Sequence, residues 1–97
     1  MFDLYRSSAL RRGIEFSLTR EKFIEVITQA CSYCGGEPPT DTKRNGIDRV
    51  DNAQGYTEGN VAPCCFACNQ MKGIKTVREF LEQVSKIHFY REKKHAS

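Results

Sequence analysis

The sequence predicts a small α+β domain in which two pairs of cysteines clamp a β-hairpin against a helix. Two Cys-x-x-Cys pairs stand far apart in the chain, and the segment between them is rich in turn-forming residues. Apolar side chains recur at helical spacing on both sides of this segment. These patterns predict two N-terminal helices, a hairpin–helix core and one C-terminal helix.

Both N-terminal helices lie within the first 30 residues of this prediction. Residues 2–12 have apolar side chains near helical spacing, and Gly13 suits the end of a helix. Residues 15–18 form a short extended piece, after which Thr19 offers a hydroxyl N-cap for the second helix. The apolar face of that helix consists of Phe23, Ile24, Ile27 and Ala30.

The middle of the chain is predicted to be a knuckle, a loop and a hairpin. Residues 31–36 form a tight cysteine knuckle, and residues 37–45 form a loop with two prolines. Residues 46–50 alternate as in a first strand, and residues 51–59 are rich in Asp, Asn and Gly, which favour turns. Residues 56–61 are predicted to return as the second strand.

Two further helices complete the prediction. Pro63 suits the first turn of one helix and Gly73 its end. The last helix begins at Thr76, where Thr76 and Glu79 have the spacing of a capping box. We expect the tail at 91–95 to fray. The apolar face of the last helix consists of Val77, Phe80, Leu81, Val84 and Ile87.

The chain of 97 residues is too short for two domains, so we expect one domain spanning 1–97. Within it we distinguish a helical extension at 1–30, a core at 31–73, and a C-terminal helix with a basic tail at 74–97. A chain of this length buries only about 60–65% of its unfolded surface, so a metal clamp would stabilise it considerably.

Composition and charge narrow the class of protein. Hydrophobic residues make up 39% and charged residues 28%, as in ordinary globular proteins. We recognise no signal peptide and no apolar run of membrane-spanning length, and we expect a cytoplasmic protein with no membrane partner. The net charge is +3, with an acidic middle between basic ends. That pattern fits a metal site between phosphate-binding arms and equally an ordinary solvated surface.

Five cysteines are many for this length, and they indicate a metal site. A disulfide framework is not expected in a reducing compartment, and the odd count argues against complete pairing. Four soft sulfur ligands suit tetrahedral Zn²⁺. The predicted ligands of this structural zinc are Cys31, Cys34, Cys65 and Cys68. The fifth cysteine, Cys64, shares an apolar helical stripe with Ala67 and Met71, which favours a core thiol.

A linked set of polar residues accompanies the cysteine pairs. It consists of Asp48-Arg49, Asn60 and the string Cys65-x-x-Cys68-Asn69-x-x-Lys72. Together with the first pair, this set resembles the HNH (ββα-metal, His-Me finger) endonucleases, especially the small members common in phages and among restriction enzymes. The resemblance covers about residues 5–81. It implies a zinc-stapled ββα-metal core and hydrolysis of DNA phosphodiester bonds, by nicking or by double-strand cleavage.

The resemblance also implies a role for each of these polar residues. Asp48 and Asn69 would hold a catalytic Mg²⁺ or Mn²⁺, for which carboxylate and amide oxygens are suitable hard ligands. Asn60 would tie the loop together and orient the catalytic residue. Lys72 would pair with a phosphate as a point charge.

Arg49 departs from the family pattern, in which a histidine usually activates the attacking water. Arginine stays protonated in proteins and is not a plausible general base, but it can stabilise charge on the scissile phosphate. Tyr5 is the preferred candidate for binding or activating water, with Tyr56 and Glu15 as alternatives. A metal-bound water without a dedicated base is equally allowed. His88 and His95 are interpreted as surface or packing residues.

The expected partner is DNA, contacted by Lys72, Arg11, Arg12 and Lys75. A homodimer or a larger nucleoprotein assembly is compatible with the sequence. Three functions remain open on these residues. The first is a metal-dependent endonuclease. The second is an inactive module with the same fold that binds nucleic acid or inhibits a nucleic-acid machine. The third is a purely structural zinc domain.

Overall fold

The computed structural model of the protein describes residues 1–96 and confirms a small α+β architecture with four helices and a two-stranded antiparallel sheet. The helices are α1 (Phe2–Arg11), α2 (Arg20–Ile27), α3 (Phe66–Lys72) and α4 (Val77–Ala96), and the strands are β1 (Gly46–Arg49) and β2 (Val61–Cys64). One 3-10 turn at Glu58–Asn60 precedes β2.

The N-terminal helices form where the sequence predicts, but the expected apolar face of the second is wrong at two positions. Ile24 is exposed, and Ala30 lies beyond the end of α2 at Ile27. Gly13 follows α1 with a φ of +69°, a conformation that glycine adopts without a steric penalty. The Thr19 side chain caps α2 by accepting a hydrogen bond of 3.1 Å from the Lys22 amide. The two helices and β1 enclose the main core, whose buried members are Ala9, Leu18, Phe23, Val26, Ile27, Ile47 and Tyr56.

The second strand lies further along the chain than predicted. It begins at Val61, so the expectation of a strand at 56–61 is wrong. Tyr56 instead forms an isolated bridge with Phe16. Pro63, expected in a helix, lies opposite Ile47 in β2. The sheet accepts this proline because the Ile47 amide donates to a side chain outside the sheet, so the ladder needs no amide at Pro63.

The third helix starts later than predicted, because Cys65 is its N-cap. The Cys65 sulfur accepts a hydrogen bond of 3.4 Å from the Cys68 amide. Cys64 therefore ends β2 and does not share a helical stripe with Ala67 and Met71, both of which are exposed. That part of the sequence interpretation is wrong, although Cys64 is fully buried.

The capping box of α4 is confirmed. The Glu79 amide donates to the Thr76 hydroxyl, and the Thr76 amide donates to the Glu79 carboxylate. The expected apolar face is not buried as a whole: Phe80 is buried, whereas the later apolar residues Leu81, Val84 and Ile87 are exposed. The segment 91–95 continues α4 and is not frayed. Within residues 1–96, no helix has the length and apolar character required to cross a membrane.

Candidate functional site

Four cysteines converge to form a candidate metal centre. Cys31 and Cys34 come from the knuckle, and Cys65 and Cys68 come from the start of α3. Their sulfur atoms all lie within 4.8 Å of one another, and the sulfurs of Cys34 and Cys65 are 3.7 Å apart. Tetrahedral Zn²⁺ with bonds of about 2.3 Å would require sulfur separations of about 3.8 Å. The four side chains therefore fit a tetrahedral metal ion.

The electrostatics of the sulfurs also favour a cation between them. Burial opposes ionisation of Cys31, but hydrogen bonds from neighbouring backbone amides outweigh it and lower the pKa of Cys31 to about 6. The pKa of Cys68 is raised, first by burial and then by hydrogen bonds to the other three sulfurs. Four thiolates cannot share so small a volume without a positive ion, and a metal ion would ionise them together.

Cys64 stands outside this group of ligands. Its side chain is fully buried, and burial raises the pKa of the Cys64 thiol to about 12. The sulfur donates a weak hydrogen bond of 3.5 Å to the Cys65 carbonyl. Cys64 is therefore a protonated core thiol, as the sequence predicted.

Asp48 is the central polar group beside the metal centre. It lies on β1 with only 4% of its surface exposed. Its Oδ2 accepts a hydrogen bond of 2.6 Å from the Tyr33 hydroxyl, and its Oδ1 lies 3.2 Å from the Lys72 ammonium. Both carboxylate oxygens are therefore occupied by protein groups.

Lys72 is fully buried in α3, and this position contradicts the expectation that it contacts a DNA phosphate. Its ammonium binds Asp48 and also lies 3.4 Å from the Arg49 carbonyl oxygen. A charged lysine is almost never fully buried unless it is paired. Lys72 lies one helical turn after Asn69, as the spacing predicts, but its side chain points into the protein and not toward a phosphate.

Asn69 contacts β1 one residue before Asp48. Its side-chain amide nitrogen donates a hydrogen bond of 3.4 Å to the Ile47 carbonyl. The residue is half-buried and lines a cleft of about 410 Å³, which Tyr5 and Gly46 also line. The structure thus brings α3 against β1. Asn69 bonds the Ile47 carbonyl and Lys72 bonds the Arg49 carbonyl, both of which point outward from the strand.

The pair Asp48 and Asn69 does not form an open divalent-metal site in this arrangement. Mg²⁺ requires near-octahedral oxygen coordination and usually keeps several waters. The Asp48 carboxylate is buried between a hydroxyl and an ammonium group, which leaves no coordination position toward solvent.

Tyr5 lies against the outer edge of β1, where its hydroxyl accepts a hydrogen bond of 3.3 Å from the Ile47 amide. Gly46 permits this approach, since a Cβ there would lie 2.9 Å from the tyrosine oxygen. Burial raises the pKa of Tyr5. The structure thus shows the Tyr5 hydroxyl as an acceptor at the edge of β1, and its expected role in binding or activating water stays a prediction.

Arg49 turns toward the loop that follows β1. Its Nη1 donates to the carbonyls of Asn52 and Gln54, at 3.1 and 2.9 Å. Its guanidinium also lies 5.5 Å from the centre of the Tyr56 ring. Arg49 thus holds the shape of the loop.

Asn60 ties the other side of the same loop. Its side-chain oxygen accepts from the Asp51 amide, and its amide nitrogen donates to the carbonyls of Asp51 and Gly55. The residue is buried, so these three bonds fix the loop between the strands. The loop starts directly after Arg49, and both Arg49 and Asn60 bond backbone groups within it. The two side chains therefore hold the same loop.

The remaining candidates are more dispersed. Tyr56 is a buried core residue whose hydroxyl accepts a hydrogen bond of 3.3 Å from Arg12. The side chains of Glu15, Arg11 and Lys75 are exposed. His88 is exposed on α4 and lies 3.8 Å from Glu92, as a surface interpretation predicts. The structure gives no side-chain description of His95.

Tyr33 is the functional residue that sequence reasoning missed. Tyr33 lies between Cys31 and Cys34, and the sequence predicts no role for it beyond membership of the knuckle. Its ring packs edge-on against Phe80, with ring centres 5.3 Å apart. Burial, then the hydrogen bond to Asp48, raises the pKa of Tyr33 well above its usual value. The sequence signal for Tyr33 was its position between two predicted metal ligands, where the knuckle holds a polar side chain rigidly.

Arg49→Lys is expected to destabilise the protein by about 1 to 2 kcal/mol, because lysine keeps the charge but is one atom shorter, so its nitrogen does not reach the position that Nη1 holds between the two loop carbonyls. Amide hydrogen exchange in residues 51–60 should accelerate, and urea unfolding should give the free-energy change. Arg44→Lys, an exposed arginine, is the matched control. Equal stability and exchange in both variants would show that the Arg49 bonds do not hold the loop.

The fold is that of the HNH endonucleases. Among solved structures, the rare-cutting HNH restriction endonuclease PacI is similar with a TM-score of 0.66 at 24% identity, over 94% of this chain and 78% of the PacI chain. An uncharacterised protein of Acanthamoeba polyphaga mimivirus is 36% identical over 77 residues, which is 79% of this chain. The match spans only 14% of that viral protein's length. No family model matches the chain.

Proposed function

We propose that the protein is a metal-dependent endonuclease that hydrolyses DNA phosphodiester bonds, with Zn²⁺ held by the four cysteines as a structural ion. The observation that carries this proposal is the juxtaposition of Asp48 on β1 and the helix bearing Asn69, both fixed beside the cysteine centre of an HNH fold. Mg²⁺ or Mn²⁺ is the proposed catalytic ion. Asp48 and Asn69 are its proposed protein ligands, and because both Asp48 oxygens are bonded in this structure, the carboxylate would have to release one of its partners to bind the ion.

The other residues of the site serve binding and orientation in this proposal. Tyr5 keeps its proton and donates it in a hydrogen bond within the cleft that Asn69 lines. Arg49 has five N–H donors, of which the loop carbonyls engage only Nη1, so the rest of its guanidinium is available to a phosphate. Arg11, Arg12 and Lys75 contact the DNA backbone without reading its sequence.

Asp48→Asn and Asn69→Ala should each lower plasmid cleavage by roughly 100-fold or more, since the first removes the negative charge of one proposed ligand and the second removes the other ligand. The assay is conversion of supercoiled plasmid to nicked or linear DNA by zinc-loaded protein with Mg²⁺ or Mn²⁺. The asparagine at position 48 keeps an acceptor for the Tyr33 hydroxyl but leaves the buried Lys72 ammonium without a carboxylate, so the fold of this variant must be verified.

His88→Gln is the matched control, because this histidine is exposed on α4 and paired only at the surface. It should cut as the parent does. Zinc content and circular dichroism must match in all four proteins. Parental cleavage by both Asp48→Asn and Asn69→Ala would exclude these residues as the catalytic site.

A second candidate function is a binding module that keeps the HNH fold without cleaving DNA. The observation that favours it is that both Asp48 oxygens are bonded to protein groups, and Arg49 is likewise bonded to the loop. This function predicts DNA binding that weakens steeply with salt and no cleavage with any divalent ion.

A further inference from the structure

The distal half of α4 lies outside the core and carries a concentration of positive charge. After Phe80, every described side chain of this helix is exposed. Four basic side chains and one acidic side chain lie between residues 86 and 94, which gives this segment a net charge of +3. We call residues 86–94 the basic arm. Its basic members are Lys86, Arg91, Lys93 and Lys94.

Most of this charge lies on one face of the helix. The i, i+4, i+7, i+8 spacing of a single face relates four side chains of the basic arm: Lys86, Tyr90, Lys93 and Lys94. The Lys94 ammonium lies 5.7 Å from the centre of the Tyr90 ring, a distance at which a cation and an aromatic ring attract each other. The face is therefore basic along its length and contains an exposed aromatic ring.

The charge changes sign along α4, and this change narrows the choice of partner. Arg78, Glu79 and Glu82 give the first part of the helix a net charge of −1, in contrast to the +3 of the basic arm. Because like charges repel, a second basic arm is not the partner that this face favours. A polyanion fits better, since it would neutralise the repulsion among the arm's own side chains.

The helical state of the basic arm also favours a bound partner. Isolated helices shorter than about 12–15 residues are marginal in water, and most helical stability in proteins comes from packing of an apolar face. The basic arm is shorter than this, and its side chains are exposed in the described part of the chain. A partner along its basic face would therefore stabilise the helix.

We propose that the basic arm binds the phosphate backbone of double-stranded DNA that flanks the scissile bond. This inference rests on the proposed function, in which DNA is the substrate. The helix that bears the arm starts beside the candidate site, because Phe80 packs on Tyr33 with ring centres 5.3 Å apart. At 1.5 Å per residue, Lys86 and Lys93 lie about 9 and 20 Å along the helix from Phe80. The longer distance corresponds to about six base pairs at 3.4 Å each.

The test is binding of zinc-loaded protein to a fluorescein-labelled DNA duplex, measured by fluorescence anisotropy over about 50–200 mM salt without added divalent ions. Each contact between a lysine and a phosphate contributes about −0.9 to the slope of log affinity against log salt concentration. The arm variant, Lys86→Gln with Lys93→Gln, should therefore show a slope shallower by about 2. At about 0.1 M salt its affinity should be roughly 10- to 100-fold weaker than that of the parent.

Arg20→Gln with Lys43→Gln is the matched control, because it also removes two charges from exposed positions but leaves the basic arm intact. It should keep the slope and the affinity of the parent. All four substituted positions are exposed, so zinc content and circular dichroism should match in the three proteins. An arm variant with the slope and affinity of the parent would overturn the proposal.

Two further measurements test other partners of the same face. Sedimentation velocity of the parent and the arm variant reports docking of a second copy of the chain. Flotation with vesicles of phosphatidylserine and phosphatidylcholine reports docking on an anionic membrane surface. Loss of self-association or of vesicle binding in the arm variant, at unchanged DNA affinity, would assign the face to that partner and overturn the proposal.

Plasmid cleavage by the parent separates this inference from the proposed function. Equal DNA affinity in the parent and the arm variant, together with plasmid cleavage by the parent, overturns the role of the basic arm and leaves the nuclease intact. A parent that neither binds nor cuts DNA overturns both. A shallower salt slope in the arm variant, with the control unchanged, supports the inference whether or not the plasmid is cut.

Discussion

Cys31→Ser is expected to prevent the protein from folding at ordinary temperatures. Structural zinc sites contribute an apparent free energy of about 10–16 kcal/mol in small domains, whereas whole domains are stable by only about 5–15 kcal/mol. The cysteine centre holds the knuckle and the start of α3 together, and among the described residues 1–96 there is one other buried cluster. Losing the ion should therefore cost more free energy than the rest of the fold supplies.

The measurements are zinc content by atomic emission and thermal unfolding by circular dichroism. The parent should hold one zinc per chain, and a strong chelator should unfold it in the same way as the substitution. Cys64→Ala is the matched control, since Cys64 is a buried cysteine outside the cluster of ligands. It should keep one zinc. A folded, zinc-loaded Cys31→Ser would contradict the assignment of the ligands.

Lys72→Met should lower the free energy of unfolding by about 3 to 5 kcal/mol, since removing one partner of a buried ion pair leaves the other charge uncompensated. Full burial of Lys72 means that solvent cannot screen the remaining Asp48 charge. The experiment is urea unfolding of zinc-loaded protein without other divalent ions. In Mg²⁺ the loss should be smaller if the freed carboxylate binds the ion.

The double substitution Asp48→Asn with Lys72→Met should cost less than Lys72→Met alone, because the asparagine is neutral and can still accept from Tyr33. Lys86→Met, at an exposed position, should change stability by less than about 0.5 kcal/mol. If Lys72→Met loses no more than this control, then the ion pair does not contribute to the fold.

Local signals in the sequence were sufficient to predict most of the helices and the metal centre. Thr19 and the pair Thr76 and Glu79 cap their helices through bonds that span three residues, so the sequence alone contains both partners. The spacing within each Cys-x-x-Cys pair is likewise visible in the sequence alone. These features depend on neighbours in the chain, and the structure confirms them.

The hairpin was harder to predict because its second strand lacks the expected pattern. β2 contains Pro63, which normally argues against a strand, and the more strand-like Tyr56 belongs to a bridge with Phe16. The proline is tolerated because Ile47 and Pro63 form a pair whose amides point away from the ladder, as the bond from the Ile47 amide to Tyr5 shows. No local pattern reports such a contact.

The state of the candidate site depended on contacts of the same long-range kind. The motif predicted Asp48, Asn69 and Lys72 as a linked set, but it did not predict that the lysine turns inward to the carboxylate. That outcome follows from how α3 packs on β1, which brings together residues 24 positions apart. Tyr33 was missed because its partner lies 15 positions away, beyond a loop without periodicity.

The C-terminal helix contacts the site near its first turn, and most of its length extends beyond that contact. Phe80 is the one buried side chain described in α4, and it packs on Tyr33, which in turn holds Asp48. The helix continues for about 24 Å beyond Phe80 at 1.5 Å per residue. A rotation of about 5° at that contact would move the far end by about 2 Å. A displacement of the far end of α4 would therefore reach Tyr33, and through it the hydrogen bond to Asp48, with a smaller amplitude.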